Sequence, residues 1–549
     1  MNQIRTFLLI AWLMVAFLLW QEWGKEHAPV DAPAATTPAT MPASRPDDSA
    51  GVPVAQAGPA TAPAAARQAV TAPAPTVQLR NDVLALELDG NRITHAALLA
   101  YPRSQAAGSP PVVLLDAAPA TYFAAEAFWR DADGRPLVPQ AEGAARDVVL
   151  AGGVAGVQVR FVATTPTGVQ LQRTVTLARG SYAVQVQDAL VNAGTATWTG
   201  DVERRLDRVP PVVKSGFTNP ESFSLNGAAW YSQEDKYQKR KFPKFAKDGP
   251  LNQQVTGGWI GLSQHYFLAA WVPQKDQAAL FTLGQQGNRY DVAARGPKVT
   301  LAPGQRFDTH ATLWVGPKLA SKLDATAPGL GYAMDYGIFT VLSKPIHWLL
   351  TQLHKLTHNW GWAIVLLVVL IKLALYPLSA AQYKSMAKMR KFQPRITQLK
   401  ERYGEDKQKF QMAMLDLYKK EKINPAGGCL PVLVQMPVFL ALYYVLLEAV
   451  ELRQAPWIMG WVNDLTAQDP YFILPILNAA VMFLTQRITP AVGMDPTQQK
   501  MMQMMPLVMA VMFAFFPAGL VLYWVTNGTL SLLQQWWNVK RFAEEPAKA

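Results

Sequence analysis

The chain has 549 residues, of which 50% are hydrophobic and 16% are charged, and its formal net charge at pH 7 is +12. This composition is typical of a membrane protein with a sizeable water-exposed part. It argues against a nucleic-acid partner, because many of the basic residues stand beside apolar segments, where the positive-inside rule puts them. The single cysteine, Cys429, excludes an internal disulfide and argues against a redox or cysteine-based metal site.

The N-terminal segment 1–23 predicts an uncleaved signal anchor that crosses the membrane once. Arg5 precedes its apolar core, and Trp20 and Trp23 follow that core at the place where cleavage requires small residues. The positive-inside rule then keeps the N-terminus in the cytoplasm. Residues 24–76 are rich in Pro and Ala and lack apolar periodicity, which predicts a disordered, semi-extended tether.

From residue 77 to about residue 325 the hydrophobic pattern has a period of two. Examples are the segments 83–88, 157–162 and 182–186, which are separated by turn sequences such as Asp-Gly and Gly-Gly. Short alternating segments between turn signals predict antiparallel strands in a β-sandwich.

Two polar features of this region were considered as candidate sites. His95, His265 and His310 show neither metal-ligand spacing nor a paired carboxylate, so we interpret them as structural. The basic run from Lys236 to Lys247, with aromatic residues inside it, could bind polyanions. We interpret it instead as a solvated loop before the strand that contains Trp259.

Segment 326–359 has apolar residues at three- and four-residue steps with polar residues between them. It is too short and too polar to span a bilayer, so it predicts an amphipathic helix on the outer face of the membrane. The alternative is a core helix that caps the sandwich.

Residues 360–378 are long and apolar enough to cross about 30 Å of hydrocarbon with some tilt. This span carries one charge, Lys372, and a lysine near the centre of a spanning helix costs roughly 2.5–3.5 kcal/mol. Either the long side chain of Lys372 extends so that its ammonium reaches the lipid headgroups, or the ammonium faces a water-filled cavity inside the bundle.

The segment 380–425 predicts a cytoplasmic helical hairpin. Between Gln382 and Asn424 twelve basic residues stand against five acidic ones, which places the segment in the cytoplasm. Helical periodicity on both sides of a turn at 403–406 predicts two short helices that bury their apolar stripes against each other. We expect this hairpin to meet a protein partner or lipid headgroups.

Three further apolar blocks predict four more spans, which brings the total to six. They are residues 428–447, residues 471–486, and residues 501–537, the last broken at Phe516–Gly519 into a hairpin. The acidic loop 448–469 belongs outside, Lys540 and Arg541 mark a cytoplasmic end, and residues 542–549 form a cytoplasmic tail.

Away from their interfacial ends the predicted spans contain no Asp, Glu or His. The absence of a carboxylate relay argues against a proton-driven transporter. The other polar groups are mainly amides and hydroxyls, which either join helices or together line a hydrated groove; they include Gln435, Asn478, Thr485, Gln486, Gln503, Thr526 and Asn527. The span 501–516 is rich in methionine, which suits both an adaptable binding surface and an ordinary core.

Several motifs at consistent spacing resemble the YidC membrane protein insertase family of Gram-negative type. They are Asn359-Trp360-Gly361-Trp362, Lys372 four residues before Tyr376-Pro377-Leu378, Gln382 to Met389, Asn424 to Cys429, Gln435-Met436-Pro437, Phe516 to Leu520, and Gly257-Gly258-Trp259 with Trp271-Val272-Pro273. The resemblance is continuous over about 337–541.

The resemblance implies a membrane α-helical bundle of six spans, with a five-span insertase core at 360–541, and a periplasmic all-β supersandwich. It implies insertion and folding of newly made inner-membrane proteins, alone or with the Sec translocon, and no enzyme activity, cofactor or metal. The implied partners are nascent membrane proteins, the ribosome, the Sec translocon and anionic lipid headgroups, without nucleic acid or a small-molecule substrate.

The resemblance also implies a cationic hydrophilic groove that binds the client protein. Its residues here are Lys372, Gln435, Asn478, Gln503, Tyr523, Trp524 and Asn527. The family usually has Arg where this chain has Lys372. The positive charge is therefore kept, but the planar guanidinium group, which can donate two parallel hydrogen bonds, is lost. A Tyr often found in the last span is replaced by Trp524.

Two other function classes would require features that the sequence does not show. A channel or secondary transporter with a periplasmic binding domain would show inverted repeats and discontinuous spans, which the sequence lacks. A protein whose sandwich binds an envelope polymer would show clustered aromatic residues with convergent carboxylates, and no such cluster is identifiable.

Overall fold

The computed structural model describes residues 76–143, 146–213, 216, 219–403, 406–421, 430–488 and 496–543. The predicted signal anchor at 1–23, the predicted tether up to residue 75 and residues 544–549 of the predicted tail lie outside the described residues. The described residues form one compact unit, in which strands occupy the first half and helices the second.

The strands form two large sheets, as the period-two pattern predicts. The first sheet has the order β14 (Asn252–Thr256), β17 (Ala278–Gln286), β18 (Arg289–Arg295), β11 (Trp198–Arg208), β5 (Phe123–Asp131), β3 (Arg92–Pro102), β2 (Leu84–Leu88), β1 (Val77–Arg80) and β7 (Asp147–Val149), with β19 (Val299–Leu301) on β11 and β4 (Pro111–Leu115) on β3. Its pairs are antiparallel except β1 with β7.

The second sheet is wholly antiparallel in its described pairs. Its order is β13 (Lys236–Lys241), β12 (Gly227–Ser232), β15 (Trp259–Gln264), β16 (Phe267–Pro273), β20 (Arg306–Pro317), β10 (Ala183–Asn192), β9 (Val169–Ala178), β8 (Gly156–Thr164) and β6 (Gln140–Ala141). Alternating burial along β8, β9 and β10 gives each strand one buried face, which is what packs the two sheets into a sandwich.

A polar cluster lies in the core between the sheets. The Arg173 guanidinium on β9 is buried and donates to the Asp188 carboxylate on β10, with Nε–Oδ1 at 2.7 Å, and to the Ala127 carbonyl on β5 at 2.7 Å. The Trp129 indole N–H donates to the same carboxylate at 2.8 Å. Because each charge is paired and hydrogen-bonded, the cluster fixes how one sheet lies on the other.

The interpretation of the basic run as a solvated loop is wrong. Residues Lys236–Lys241 form β13, which pairs with β12 from Lys236↔Ser232 to Lys241↔Gly227 and is the edge strand of the second sheet. Lysines are typical of edge strands, because their charge hinders pairing with another chain. The many basic residues suggested a loop, although the segment is a strand that pairs with a neighbouring strand on one side only.

The described helices follow the sandwich. They are α1 (Ala320–Thr326), α2 (Thr340–Thr357), α3 (Trp360–Ala374), α4 (Tyr376–Lys391), α5 (Gln393–Tyr403), α6 (Lys407–Lys420), α7 (Leu430–Glu448), α8 (Ile473–Ile488), α9 (Pro496–Phe513) and α10 (Ala518–Ala543). The predicted hairpin corresponds to α5 and α6, whose ends are joined by an Arg395–Glu421 ion pair at 2.8 Å. Helix α10 packs against α3, α4, α7 and α8.

The predicted span 360–378 is not one straight helix. Helix α3 ends at Ala374, and α4 starts at Tyr376 with a bend of 63°. Pro377 explains the break, because its nitrogen cannot donate and its ring crowds the preceding turn. Among the described residues this bent pair passes a length-and-hydropathy test for a membrane span, and no individual helix passes it.

The sandwich and the helices meet at a buried polar junction. The Lys318 ammonium, just after β20, forms an ion pair with Glu448, the last residue of α7. The Ser224 hydroxyl donates to Glu448 Oε1 at 2.6 Å and lies 2.9 Å from His265 Nδ1. Since the one hydroxyl hydrogen goes to the carboxylate, Nδ1 carries the imidazole proton. Burial, followed by the charges of Lys318 and Arg453, lowers the pKa of His265 to about 3.

Candidate functional site

Lys372 lies in the last turn of α3 with only 6% of its surface exposed. Its ammonium donates to the Ser531 hydroxyl on α10 at 2.7 Å. In the described part of the chain the partner of this ammonium is a hydroxyl and not a carboxylate. The side chain therefore points toward the last helix. The hydroxyl dipole of Ser531 stabilises the charge, which no carboxylate among the described residues neutralises.

Ser531 belongs to a polar strip along α10. Its hydroxyl donates to the Asn527 carbonyl at 2.7 Å, and its own carbonyl accepts from the Tyr383 hydroxyl at 3.1 Å. Tyr523, Asn527 and Ser531 follow each other at four-residue steps, so they share one face of the helix over about 12 Å. Asn527 and Ser531 are half-buried, so this face keeps some accessible surface.

Helix α7 contributes to the same strip. The Gln435 side-chain amide donates to the Asn527 Oδ1 at 3.1 Å. One turn further on, the Phe439 ring stacks on Tyr523 with centroids 5.8 Å apart. The two contacts step in opposite directions along the two helices, as expected for antiparallel neighbours. A series of hydrogen bonds thus runs from Lys372 through Ser531 and Asn527 to Gln435, and it connects three of the predicted site residues.

The two predicted aromatic residues form the apolar end of the strip. Trp524 lies edge-on to Phe439 with centroids 4.8 Å apart and packs on Phe513 of α9 at 4.9 Å. Tyr523 is buried beside it. The Trp524 indole nitrogen is buried and has no hydrogen-bond partner among the described residues. The arrangement is a cationic, hydrogen-bonding region that passes into an aromatic cluster along one helix.

Two predicted site residues are not joined to this network. Asn478 on α8 is buried, and its amide points to the Met482 sulfur of the same helix at 3.6 Å. Gln503 is exposed on α9. Within the part of the chain that the structure describes, no hydrogen bond links either amide to Lys372, Ser531 or Asn527.

Sequence reasoning missed Ser531 and Tyr383, although both contact the predicted residues. Ser531 carried a usable signal, because Tyr523, Asn527, Ser531 and Gln535 recur every four residues along α10. No sequence pattern pointed to Tyr383, because its hydrogen bond to Ser531 joins positions that are 148 residues apart.

Comparison with known proteins assigns both halves of the chain. The family model described as 60Kd inner membrane protein matches residues 352–545, and the model described as YidC periplasmic domain matches residues 76–349. The "Membrane protein insertase YidC" of Stenotrophomonas maltophilia (strain K279a) is 54% identical over 100% of this chain and 98% of its own length. The chain belongs to the YidC membrane protein insertase family.

Two further matches are a second curated relative and a solved structure. The "Membrane protein insertase YidC" of Xanthomonas campestris pv. campestris (strain 8004) is 52% identical over 100% of this chain and 99% of its own length. A solved structure titled "Active YidC insertase crystal structure with the first transmembrane domain resolved" covers 84% of this chain and 94% of its own, at 19% identity and a TM-score of 0.37.

Membership of the YidC family decides among the function classes weighed from the sequence. It supports a membrane protein insertase of the inner membrane, with the sandwich as its periplasmic domain. It does not favour the channel or transporter alternative. The role is insertion of other proteins and not a chemical transformation of a substrate.

Proposed function

We propose that this member of the YidC family inserts and helps to fold newly made inner-membrane proteins, alone or with the Sec translocon, through the polar strip that begins at Lys372. The observation that carries the proposal is the buried ammonium, which donates to Ser531 and has no carboxylate partner in the described residues. A charge that is held by a dipole alone stays available to an incoming anion.

The strip lowers the barrier that a client protein meets. A client with a short acidic or polar tail must carry that tail through hydrocarbon, at roughly 2.5–3.5 kcal/mol for each charged side chain on insertion scales. The ammonium of Lys372 attracts the tail, and the Gln435 and Asn527 amides offer hydrogen bonds in place of water. Attraction of this kind is strong where the surroundings have a low dielectric constant.

The apolar part of the client leaves along two helices. Helix α9 has a row of exposed apolar side chains, which are Met501, Met504, Met505, Leu507, Val508 and Val511. On α7, Met436 is 45% exposed. Methionine is flexible and polarizable, so such a face accepts transmembrane segments of many sequences. Neither nucleotide nor covalent chemistry is required.

The proposed topology has six spans with both termini in the cytoplasm. The charge bias of the loops supports it, with the basic segment 380–425 inside and the acidic loop 448–469 outside. Helix α2 lies on the outer surface of the membrane beneath the sandwich. The hairpin of α5 and α6 meets the ribosome, the Sec translocon or anionic headgroups.

The test is a pair of variants in a strain depleted of its own insertase. Lys372→Arg is expected to insert an acidic-tailed client as the wild-type chain does, and Lys372→Glu is expected to abolish insertion. Lys355→Glu, at an exposed lysine of α2, is the matched control and is expected to be active. Equal activity of both Lys372 variants would reject the proposal.

Site-specific crosslinking tests the route directly. Photo-crosslinkers at positions 372 and 505 are expected to capture nascent chains, the first near the polar tail and the second near the apolar segment. Failure of both positions to capture a client that is nevertheless inserted would exclude this path.

A further inference from the structure

The edge strand β13 and the segment that leads into α2 form a basic and apolar corner of the molecule that the insertion mechanism does not use. Residues 234–248 contain six basic residues against three acidic ones. Lys244 and Lys247, which follow β13, are both exposed. A lysine on an edge strand by itself only hinders pairing with another chain. The position of these basic residues in the molecule therefore decides whether they have a further role.

The strand pairing places the basic corner beside the helical part. Lys241 pairs with Gly227, and Gly227 pairs with Ser263. Ser263 is two residues from His265, which contacts Ser224 and, through it, Glu448 at the end of α7. Two strand spacings are about 10 Å. The end of β13 that leads to Lys244 and Lys247 therefore lies near the level where α7 ends.

Direct contacts connect β13 to the segment before α2. The Lys239 ammonium forms an ion pair with Asp335 at 2.7 Å. The Tyr237 ring stacks on Tyr332 with centroids 6.4 Å apart, and the Lys344 ammonium of α2 lies 4.1 Å from the centroid of the same Tyr332 ring. These contacts hold the strand against the start of α2.

The turn before α2 and the helix itself expose apolar side chains next to this contact. Ile338 is 90% exposed and Val341 is 85% exposed, and Trp348 lies two turns further along α2 at 63%. Ile338 is only three residues from Asp335, so the exposed apolar group borders the basic corner. Large apolar side chains exposed side by side mark an interaction surface.

We propose that this corner binds anionic phospholipid of the outer leaflet, with Ile338, Val341 and Trp348 in the acyl region and Lys244 and Lys247 on the headgroup phosphates. A surface that combines inserted apolar side chains with nearby lysines matches an anionic bilayer. A soluble polyanion would leave the apolar side chains in water. The inference rests on the proposed function, because it requires α2 to lie on the membrane.

The lipid contact sets the height of the sandwich above the bilayer. Since β13 is tied to α2 through Asp335 and Tyr332, headgroups that bind the lysines hold the second sheet and the helical core at a fixed separation. The acidic residues near the lysines of this corner in the sequence are Glu234, Asp235 and Asp248, and Asp335 forms an ion pair with Lys239.

The test uses the full chain in nanodiscs with a photo-crosslinker at Ala246, an exposed site between the two lysines. Nanodiscs contain either zwitterionic lipid alone or the same lipid with phosphatidylglycerol, and lipid adducts are counted by mass spectrometry. Phosphatidylglycerol adducts are expected at position 246. The control position is Ala196, exposed beyond the Arg306 end of β20, roughly 35 Å from the Pro317 end, and no adduct is expected there.

Charge variants test the lysines. Lys244→Gln/Lys247→Gln is expected to lower the adduct yield by about tenfold, whereas the matched Lys298→Gln/Arg306→Gln is expected to leave it unchanged. Equal yield in zwitterionic nanodiscs, no loss in the lysine variant, or capture of protein in place of lipid would overturn the inference. Client insertion is measured in the same samples. If clients are inserted normally but no lipid adducts form, only this inference is rejected. If lipid adducts form normally but clients are not inserted, only the proposed function is rejected.

Discussion

Lys318 and Glu448 form an ion pair in which both side chains are almost completely buried, although 130 residues separate them in the chain. The pair joins the end of the last strand of the sandwich to the end of α7. The Ser224 hydroxyl occupies the second carboxylate oxygen, so the acid is paired on both sides. This buried pair is one of several contacts that join the periplasmic domain to the helical core, which also include the hydrogen bond from the Arg453 guanidinium to the Arg103 carbonyl at 3.1 Å.

Removal of one partner of this pair should destabilise the whole chain. Lys318→Met leaves the Glu448 carboxylate buried without its counter-ion, at a cost of about 3–5 kcal/mol. We expect the thermal midpoint of the full chain in detergent, followed by tryptophan fluorescence, to fall by at least about 6 °C. Lys275→Met, at an exposed lysine, is expected to change it little. An unchanged midpoint for Lys318→Met would show that water reaches the junction.

Ser531→Ala should weaken insertion selectively. The substitution removes the hydroxyl that accepts from the Lys372 ammonium, and loss of a partner for a buried charged donor costs about 1–3 kcal/mol. We expect insertion of an acidic-tailed client to slow several-fold, and insertion of a client with a short uncharged tail to change little.

Thr526→Ala is the matched control for Ser531→Ala. The Thr526 hydroxyl donates to the Leu522 carbonyl of its own helix at 2.8 Å, so its removal leaves Lys372 undisturbed. Equal losses for both variants and both clients would mean that the hydroxyls only stabilise α10.

Glu451→Gln should change how stability depends on pH. Burial raises the pKa of Glu451 from 4.5 to about 7, so the folded state holds a proton that the unfolded state releases. The stability from this group is fully present below pH 4.5 and is lost as the pH rises through about 7. Its neighbour His347, with the two side chains 3.7 Å apart, has a pKa lowered to about 4 by burial and is neutral in this range.

Glutamine keeps position 451 neutral at every pH. The variant should therefore match the wild-type chain near pH 4.5 and be more stable by about 3 kcal/mol above pH 8. Thermal midpoints from pH 4.5 to pH 8.5 measure this difference, with Glu142→Gln at an exposed acid as the control. A difference that is constant over that range would exclude titration of Glu451.

Gly361→Ala should disturb the packing of α3 against the loop that contains Trp457. A β-carbon at position 361 would lie 2.2 Å from the Trp457 ring, so the indole must move. Overpacking of this kind costs typically about 1–3 kcal/mol. We expect a lower thermal midpoint for Gly361→Ala and recovery of part of the loss when Trp457→Leu is added. Equal effects of Gly361→Ala in both backgrounds would rule out the steric explanation.

The repetitive parts of the fold could be predicted from the sequence. Alternation at residues 157–162 and 182–186 became β8 and β10, because a strand with one buried face must repeat every two residues. Proline and glycine near position 517 marked the turn between α9 and α10. Local chemistry determines these features, so a single sequence reveals them.

The pairings between distant residues could not be predicted. Neither Lys318 nor Ser224 has a neighbour in sequence that points to Glu448, because their contact depends on how the sandwich lies on the helices. Gln503 is polar in an apolar block and is exposed on α9, so its place in the groove stays a prediction. Polarity predicts that a residue needs a partner or water, and only the packing of helices decides which.

The bond between Lys372 and Ser531 spans 159 positions, so it constrains how the molecule itself is made. At about 5–20 residues per second, a ribosome reaches codon 531 roughly 8–30 seconds after codon 372. During that interval the ammonium lacks its hydroxyl, and α3, α4, α7 and α8 lack the helix on which all four pack. A newly made copy therefore lacks this hydrogen bond, and the packing of four helices on α10, until that helix has been synthesised.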